Sequence, residues 1–201
     1  MSQAIIGQIW CIGRNYSEHA KELGNDIPKE PVVFLKPASA IVSSGEVIEL
    51  PSWTHDVHHE VELAFRLNEK LEPTRVAVAI DLTARDIQSE LKSKGLPWAK
   101  SKAFPFSCPL SSFVEWKFEE KEILNFQLKV NSKTRQVGSS TDMLFDLSSV
   151  MTYLKGHFPI RPGDVILTGT PPGVARVQSG DLLVAEIIGK ISAQWTVGHA
   201  K

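Results

Sequence analysis

Cysteine is scarce in this sequence: Cys11 and Cys108 are the only two in 201 residues. Two thiols cannot build a disulfide framework, so the fold must be held by its own core, and a reducing cytoplasmic setting is the simplest expectation. No apolar stretch approaches the roughly 20 residues that cross a bilayer as a helix, so no membrane partner is expected. The opening residues, MSQAIIGQIWCIG, lack the basic start and small-residue cleavage site of a secretory leader. Excess charge is also absent. Lys plus Arg number 22 against 23 for Asp plus Glu, a formal net of −1, which argues against a nucleic-acid partner. G-x-G-x-x-G, a phosphate loop and G-x-S-x-G are all missing, so dinucleotide binding, P-loop chemistry and the α/β-hydrolase nucleophile have no signature.

What is present is ordinary for a soluble globular chain: 42% hydrophobic and 22% charged residues. There is no repeat and no linker, so residues 1–201 read as a single domain. Proline and glycine are scattered, which predicts many short elements joined by turns. Apolar runs at 5–12, 32–35, 61–67, 76–82, 124–130, 165–167 and 182–188 read as strands. Three stretches read as helices. The first, 16–23, follows Asn15 as a possible N-cap and stops at Gly24. The second, 84–94, follows Thr83, with Asp86 three residues on and Gly95 as the stop. The third is 147–155. The class expected is a mixed, β-rich α+β fold with short helices.

The segment His58-His59-Glu60-Val61-Glu62-Leu63-Ala64-Phe65 is the most informative. Alternation along a strand puts Val61, Leu63 and Phe65 on one face and Glu60 and Glu62 on the other. Two carboxylates on one face repel each other. Two readings are open: a solvated face of an edge strand, or a site for a hard cation with oxygen ligands. Asp81, at the end of the next apolar run, is a third carboxylate that could join them or simply begin a helix. The set Glu60, Glu62 and Asp81 offers oxygen only, which suits Mg²⁺ or Mn²⁺ rather than zinc.

His19 and Glu22, three apart on the first expected helix, share a face. They could be a surface pair, or an imidazole oriented by a carboxylate for acid/base work on a mobile lid. Other features read blandly. Lys100 and Lys102 would ordinarily be solvated, Cys108 a small buried residue, the run 168–173 a tight turn, and the five tryptophans core or interface residues.

Taken together, these motifs resemble the fumarylacetoacetate hydrolase family. They are G-R-N-Y-x-x-H (13–19), F-x-K-P (34–37), H-H-E-V-E-L-A (58–64) and D-L-T-A-R-D (81–86). G-L-P-W with a following lysine (95–102), S-C-P-L-S (107–111) and G-D-V-I-L-T-G-T-P-x-G-V (163–174) continue the series in order along almost the whole chain. The resemblance is to the small single-domain branch that acts on acylpyruvates and oxaloacetate. It implies a β-roll with short peripheral helices and a homodimer. Glu60, Glu62 and Asp81 match the family's Mg²⁺ ligands, with Mn²⁺ as an alternative. His19 and Glu22 match its water-activating dyad. Lys102, Gln88 and Thr170 match substrate-contacting positions, and Arg14 lies in the same motif as His19. The connection between Leu67 and Val76 is shorter than is usual for relatives.

The activity implied is metal-dependent work on small 2-oxo acids through an enolate. The leading expectation is hydrolysis of an acylpyruvate to pyruvate and a carboxylic acid, with His19 and Glu22 activating water and Lys102 holding charge or relaying a proton. Oxaloacetate decarboxylation, enol–keto tautomerisation and a dienoate isomerase or decarboxylase share that electron sink. A non-catalytic ligand-binding module on the same scaffold is the remaining alternative.

Overall fold

The short, turn-bounded apolar runs of the sequence become strands in a computed structural model of the chain, which describes residues 6–18, 27–118 and 122–199. The order begins β1 (Ile9–Gly13), β2 (Val32–Lys36), β3 (Ile41–Ser43), β4 (Val47–Leu50), β5 (Val57–His59), β6 (Val61–Leu67), β7 (Pro73–Ile80) and β8 (Thr83–Ala84). Two helices follow, α1 (Arg85–Ser93) and α2 (Ala99–Lys102), then β9 (Cys108–Leu110), β10 (Val114–Glu115), β11 (Asn125–Val130) and β12 (Lys133–Ser139). The chain continues through α3 (Leu147–His157), β13 (Val165–Leu167), β14 (Ala175–Arg176), β15 (Leu182–Ile187) and β16 (Ile191–His199). The fold is β-rich with short helices, as the sequence predicts.

Three sheets form. The largest runs β2-β1-β13-β6-β7-β9-β3, with β10 added on β7; a second runs β12-β11-β15-β16-β4; a small third runs β14-β5-β8. β6 is interior, paired with β13 on one side and β7 on the other. The solvated edge-strand reading of its glutamates is therefore wrong. Alternation holds, however. Val61, Leu63 and Phe65 enter the main core with Phe126, Leu183 and Trp195 from the second sheet. The opposite face carries Ala64, which packs with Ala77, Ala79, Cys11 and Cys108 in a layer of small residues. Both cysteines are buried and free. Among the described residues no helix is long and apolar enough to cross a membrane.

Several boundaries and caps differ from expectation. β1 starts at Ile9 because the backbone N–H of Gln8 donates to Asp164 Oδ1 at 2.8 Å, outside the ladder. β7 ends at Ile80, since Leu82 N–H turns away to the carbonyl of Ser107. Thr83 does not cap α1: the N-cap is Ala84 without a side-chain cap, and Asp86 instead accepts from Thr54 Oγ1 at 2.6 Å. The helix expected at 16–23 lies mostly outside the described residues. Asn15, expected as its cap, is fully buried and used elsewhere. Its amide donates to the carbonyls of Thr168 and Phe145, at 2.8 and 3.0 Å, and its carbonyl accepts from Phe145 N–H at 2.7 Å.

Asn15 thus ties the end of β1 to the turns before α3 and after β13. Asn15→Ala should cost about 2–4 kcal/mol, because it strands the buried carbonyl of Thr168 and the half-buried carbonyl and N–H of Phe145. Urea denaturation of the variant against the parent chain measures it.

Candidate active site

The acidic cluster is a product of the β6–β7 ladder. Val61 pairs with Ile80 and Glu62 with Ala79, and just past this register Asp81 N–H donates to the carbonyl of Glu60 at 2.7 Å. Glu60 and Asp81 therefore face each other where the two strands end, with Glu62 one step inside. β13 closes the other side. Its turn brings Gly169, whose N–H donates to Glu62 Oε2 at 2.7 Å. Gly169 sits at φ +94, and a Cβ there would lie 2.9 Å from Asn15 Cβ and 3.0 Å from the Ile12 carbonyl oxygen. Only glycine allows that approach.

Glu60, Glu62 and Asp81 are all buried, and each offers an oxygen within 4.8 Å of the others. Three cations answer them. Lys102 Nζ lies 2.8 Å from Glu60 Oε2, 2.6 Å from Asp81 Oδ2 and 2.6 Å from Thr83 Oγ1. Arg85 ion-pairs with Glu60 Oε1. Lys36, with no exposed surface, sits 2.8 Å from Asp81 Oδ1 and also donates to the carbonyls of Leu82 and Lys102. Burial alone would lower the Lys102 pKa, but the carboxylates of Asp81 and Glu60 hold it above the ordinary value. Glu62 is left short of positive charge. Burial, then Asp81 and Glu60, raise its pKa well above the usual carboxylate range. A buried, all-oxygen, triply acidic donor set with one under-compensated member fits a hard divalent cation.

The cluster forms the floor of a solvent-open cleft walled by Arg14, Arg85, Gln88, Lys92, Lys102, Gly169, Thr170 and the rings of Phe34 and Trp98. The structure thus brings Arg14, Gln88, Lys102 and Thr170 to the same cleft as the three carboxylates. Lys102 is buried, against its ordinary reading as a surface lysine. Gln88 Oε1 accepts from Arg85. The hydroxyl of Thr170 donates to the carbonyl of Val61 at 2.8 Å and accepts from Gln136 Nε2 at 2.8 Å, so it is already engaged. His19 and Glu22 lie outside the described residues. Sequence reasoning gave no role to Lys36, Arg85 or Lys92. Lys36 and Arg85 stand inside the F-x-K-P and D-L-T-A-R-D motifs, and that position was the available signal.

Known proteins share this fold and much of this sequence. The profile "Fumarylacetoacetate (FAA) hydrolase C-terminal" matches residues 8–197, and the chain belongs to the fumarylacetoacetate hydrolase family. Within it, the chain is 39% identical to the rat "Oxaloacetate tautomerase FAHD1, mitochondrial", over 96% of this chain and 92% of that one. It is 40% identical to oxaloacetate tautomerase YcgM of Escherichia coli, over 92% and 90%. The crystal structure of fumarylpyruvate hydrolase from Pseudomonas aeruginosa, in complex with Mn²⁺ and pyruvate, superposes with a TM-score of 0.89. That pair is 30% identical and covers 97% and 91% of the two chains.

The raised pKa of Glu62 has a sign that can be measured. A carboxyl whose folded pKa exceeds its unfolded one binds more protons when folded, so stability falls as pH rises through the interval between the two values. In metal-free protein, Glu62→Gln should therefore raise stability near neutral pH by about 1–4 kcal/mol and flatten the decline above about pH 4.5. Chemical denaturation of both proteins across pH in chelator reads this directly.

Proposed function

We propose that this chain is an oxaloacetate tautomerase, interconverting the enol and keto forms of that 2-oxo dicarboxylate with Mg²⁺, or Mn²⁺, held by Glu60, Glu62 and Asp81. The observation that carries the proposal is the buried acidic triad, in contact with Lys102, in a chain that matches two oxaloacetate tautomerases over at least nine-tenths of both lengths. This reverses the order that the family resemblance implied, which put acylpyruvate cleavage first. Cleavage keeps the support of the fumarylpyruvate hydrolase of Pseudomonas aeruginosa, at lower identity.

Tautomerisation needs a proton moved at C3 and charge held on the 2-oxo oxygen; no water has to attack. A divalent cation supplies electrophilic stabilisation of that charge. Lys102, kept protonated by Asp81 and Glu60, sets a fixed positive charge at the floor, which favours an oxygen gaining negative charge there. Arg14 and Gln88 are assigned to orienting the substrate, and Thr170 to shaping the wall. His19 with Glu22, on the strength of the G-R-N-Y-x-x-H motif, is assigned proton transfer.

Two measurements test this. The decay of enol-oxaloacetate absorbance should be accelerated by the protein with Mg²⁺, at a higher kcat/KM than pyruvate release from acetylpyruvate. The reverse ranking restores the acylpyruvate hydrolase reading. Separately, Glu60→Gln removes a charged oxygen and should weaken Mg²⁺ binding and ketonisation together. Unchanged Mg²⁺ affinity in calorimetry would remove Glu60 from the ligand set.

A further inference from the structure

α1 presents Arg85, Gln88 and Lys92 at i, i+3 and i+7, a single face of the helix, and that face lines the cleft. The first two are engaged with the floor or with each other: Arg85 pairs with Glu60 and donates to Gln88. Lys92 differs. Among the described residues, the ion pairs to the acidic floor run to Lys36, Arg85 and Lys102, and Lys92 joins none of them. Its ammonium instead lies 5.2 Å from the ring centroid of Trp98, another wall of the cleft.

Seven residues at 1.5 Å rise set Lys92 about 10 Å along the axis from Arg85. Helical side chains lean toward the N-terminus, so the Lys92 chain reaches back toward the floor. Half-burial lowers its pKa to about 8, with the cations of Arg14, Arg85 and Lys102 pushing the same way and Glu60 opposing. An ammonium set among cations beside an open cleft gains most from an incoming anion. Arg14, across the same cleft, carries an Nε with no hydrogen-bond partner among the described residues. The cleft is thus graded: acidic at its floor, cationic at its outer wall.

We infer that Lys92 binds the second carboxylate of a dicarboxylate substrate, the end remote from the 2-oxo group. The inference rests on the proposed function in assuming that the 2-oxo acid end sits at the floor. Lys92 then separates 2-oxo dicarboxylates from 2-oxo monocarboxylates such as pyruvate, which fill the floor but reach no farther. Trp98 holds the lysine chain in place by stacking under its ammonium.

The test uses the full chain with Mg²⁺ and the variants Lys92→Met, which keeps the length of the stem, and Lys92→Arg. Ketonisation of enol-oxaloacetate should show a KM raised by about 10- to 100-fold in Lys92→Met, the scale of a lost charge-assisted hydrogen bond, with kcat little changed. Lys92→Arg should recover most of it. Deuterium exchange at C3 of pyruvate, followed by NMR, should lose far less. Equal losses on both substrates, or an unmoved oxaloacetate KM, overturn the role. Calorimetry separates this from failure of the tautomerase reading. If the parent chain binds oxaloacetate but does not tautomerise it, the function falls, and Lys92 stands or falls by whether Lys92→Met loses that binding. If the parent binds neither compound, both ideas fall.

Discussion

Three carboxylates buried within 4.8 Å of one another repel, and much of the surrounding structure answers that repulsion. The β6–β7 ladder forces Glu60 and Asp81 together, through a backbone hydrogen bond between these two residues. Nothing in the ladder itself offsets the resulting charge. Compensation comes from three cations brought in by separate segments: Lys36 at the end of β2, Arg85 at the start of α1 and Lys102 at the end of α2. Each links a peripheral element to the central strands. Lys36 does so twice, because its ammonium also donates to the carbonyls of Leu82 and Lys102. Removing Lys36, Arg85 or Lys102 leaves an uncompensated buried charge on Glu60 or Asp81, which costs far more than an exposed pair is worth.

That arrangement explains how α1 and α2 persist although they are short and poorly capped. α1 has no side-chain cap at Ala84, and α2 is a single turn. Neither would persist as an isolated helix. They are held by their charged residues reaching the strand ends, with aromatic contacts such as Phe34–Trp98 at 6.0 Å and Trp53–Phe104 at 5.7 Å filling the space around them. Here tertiary contacts hold local structure that intrinsic propensity alone does not support.

The same physics decides what was legible in the sequence. β6 was readable end to end, because Val61, Leu63 and Phe65 alternate with residues of another kind. Its interior position was not: polar residues in alternation look alike on an edge strand and beside a buried charge cluster. β12 and β16 went unread for different reasons. β12, Lys133–Ser139, is mostly polar and exposed, and becomes a strand by pairing with β11. β16 does alternate, burying Ala193, Trp195 and Val197, but with one β-branched residue among its three buried positions its strand signal is weaker than that of a run of Val and Ile. The three carboxylates were legible as a set through spacing and through the family motifs. Lys102 was legible through the motifs alone, Arg85 only by its place inside D-L-T-A-R-D, and Lys92 not at all, since a basic residue on a short helix is ordinarily solvated.

The histidines beside the site show how the fold settles the donor set. His58 and His59 immediately precede Glu60 and could have turned the cluster toward zinc, for which imidazole is a common ligand. Both are otherwise engaged. His59 Nδ1 pairs with Gln136 Oε1 at 2.9 Å, and His58 Nε2 with Asp56 Oδ1 at 2.9 Å. Burial lowers the pKa of each, favouring the neutral ring. Gln136 also accepts from Val61 N–H and donates to Thr170 Oγ1 and the Pro171 carbonyl. A residue of the polar strand β12 thus fixes both the histidine next to Glu60 and the turn next to Glu62. With the imidazoles held away, the three grouped ligand atoms are carboxylate oxygens. Such a donor set favours a hard divalent ion over zinc.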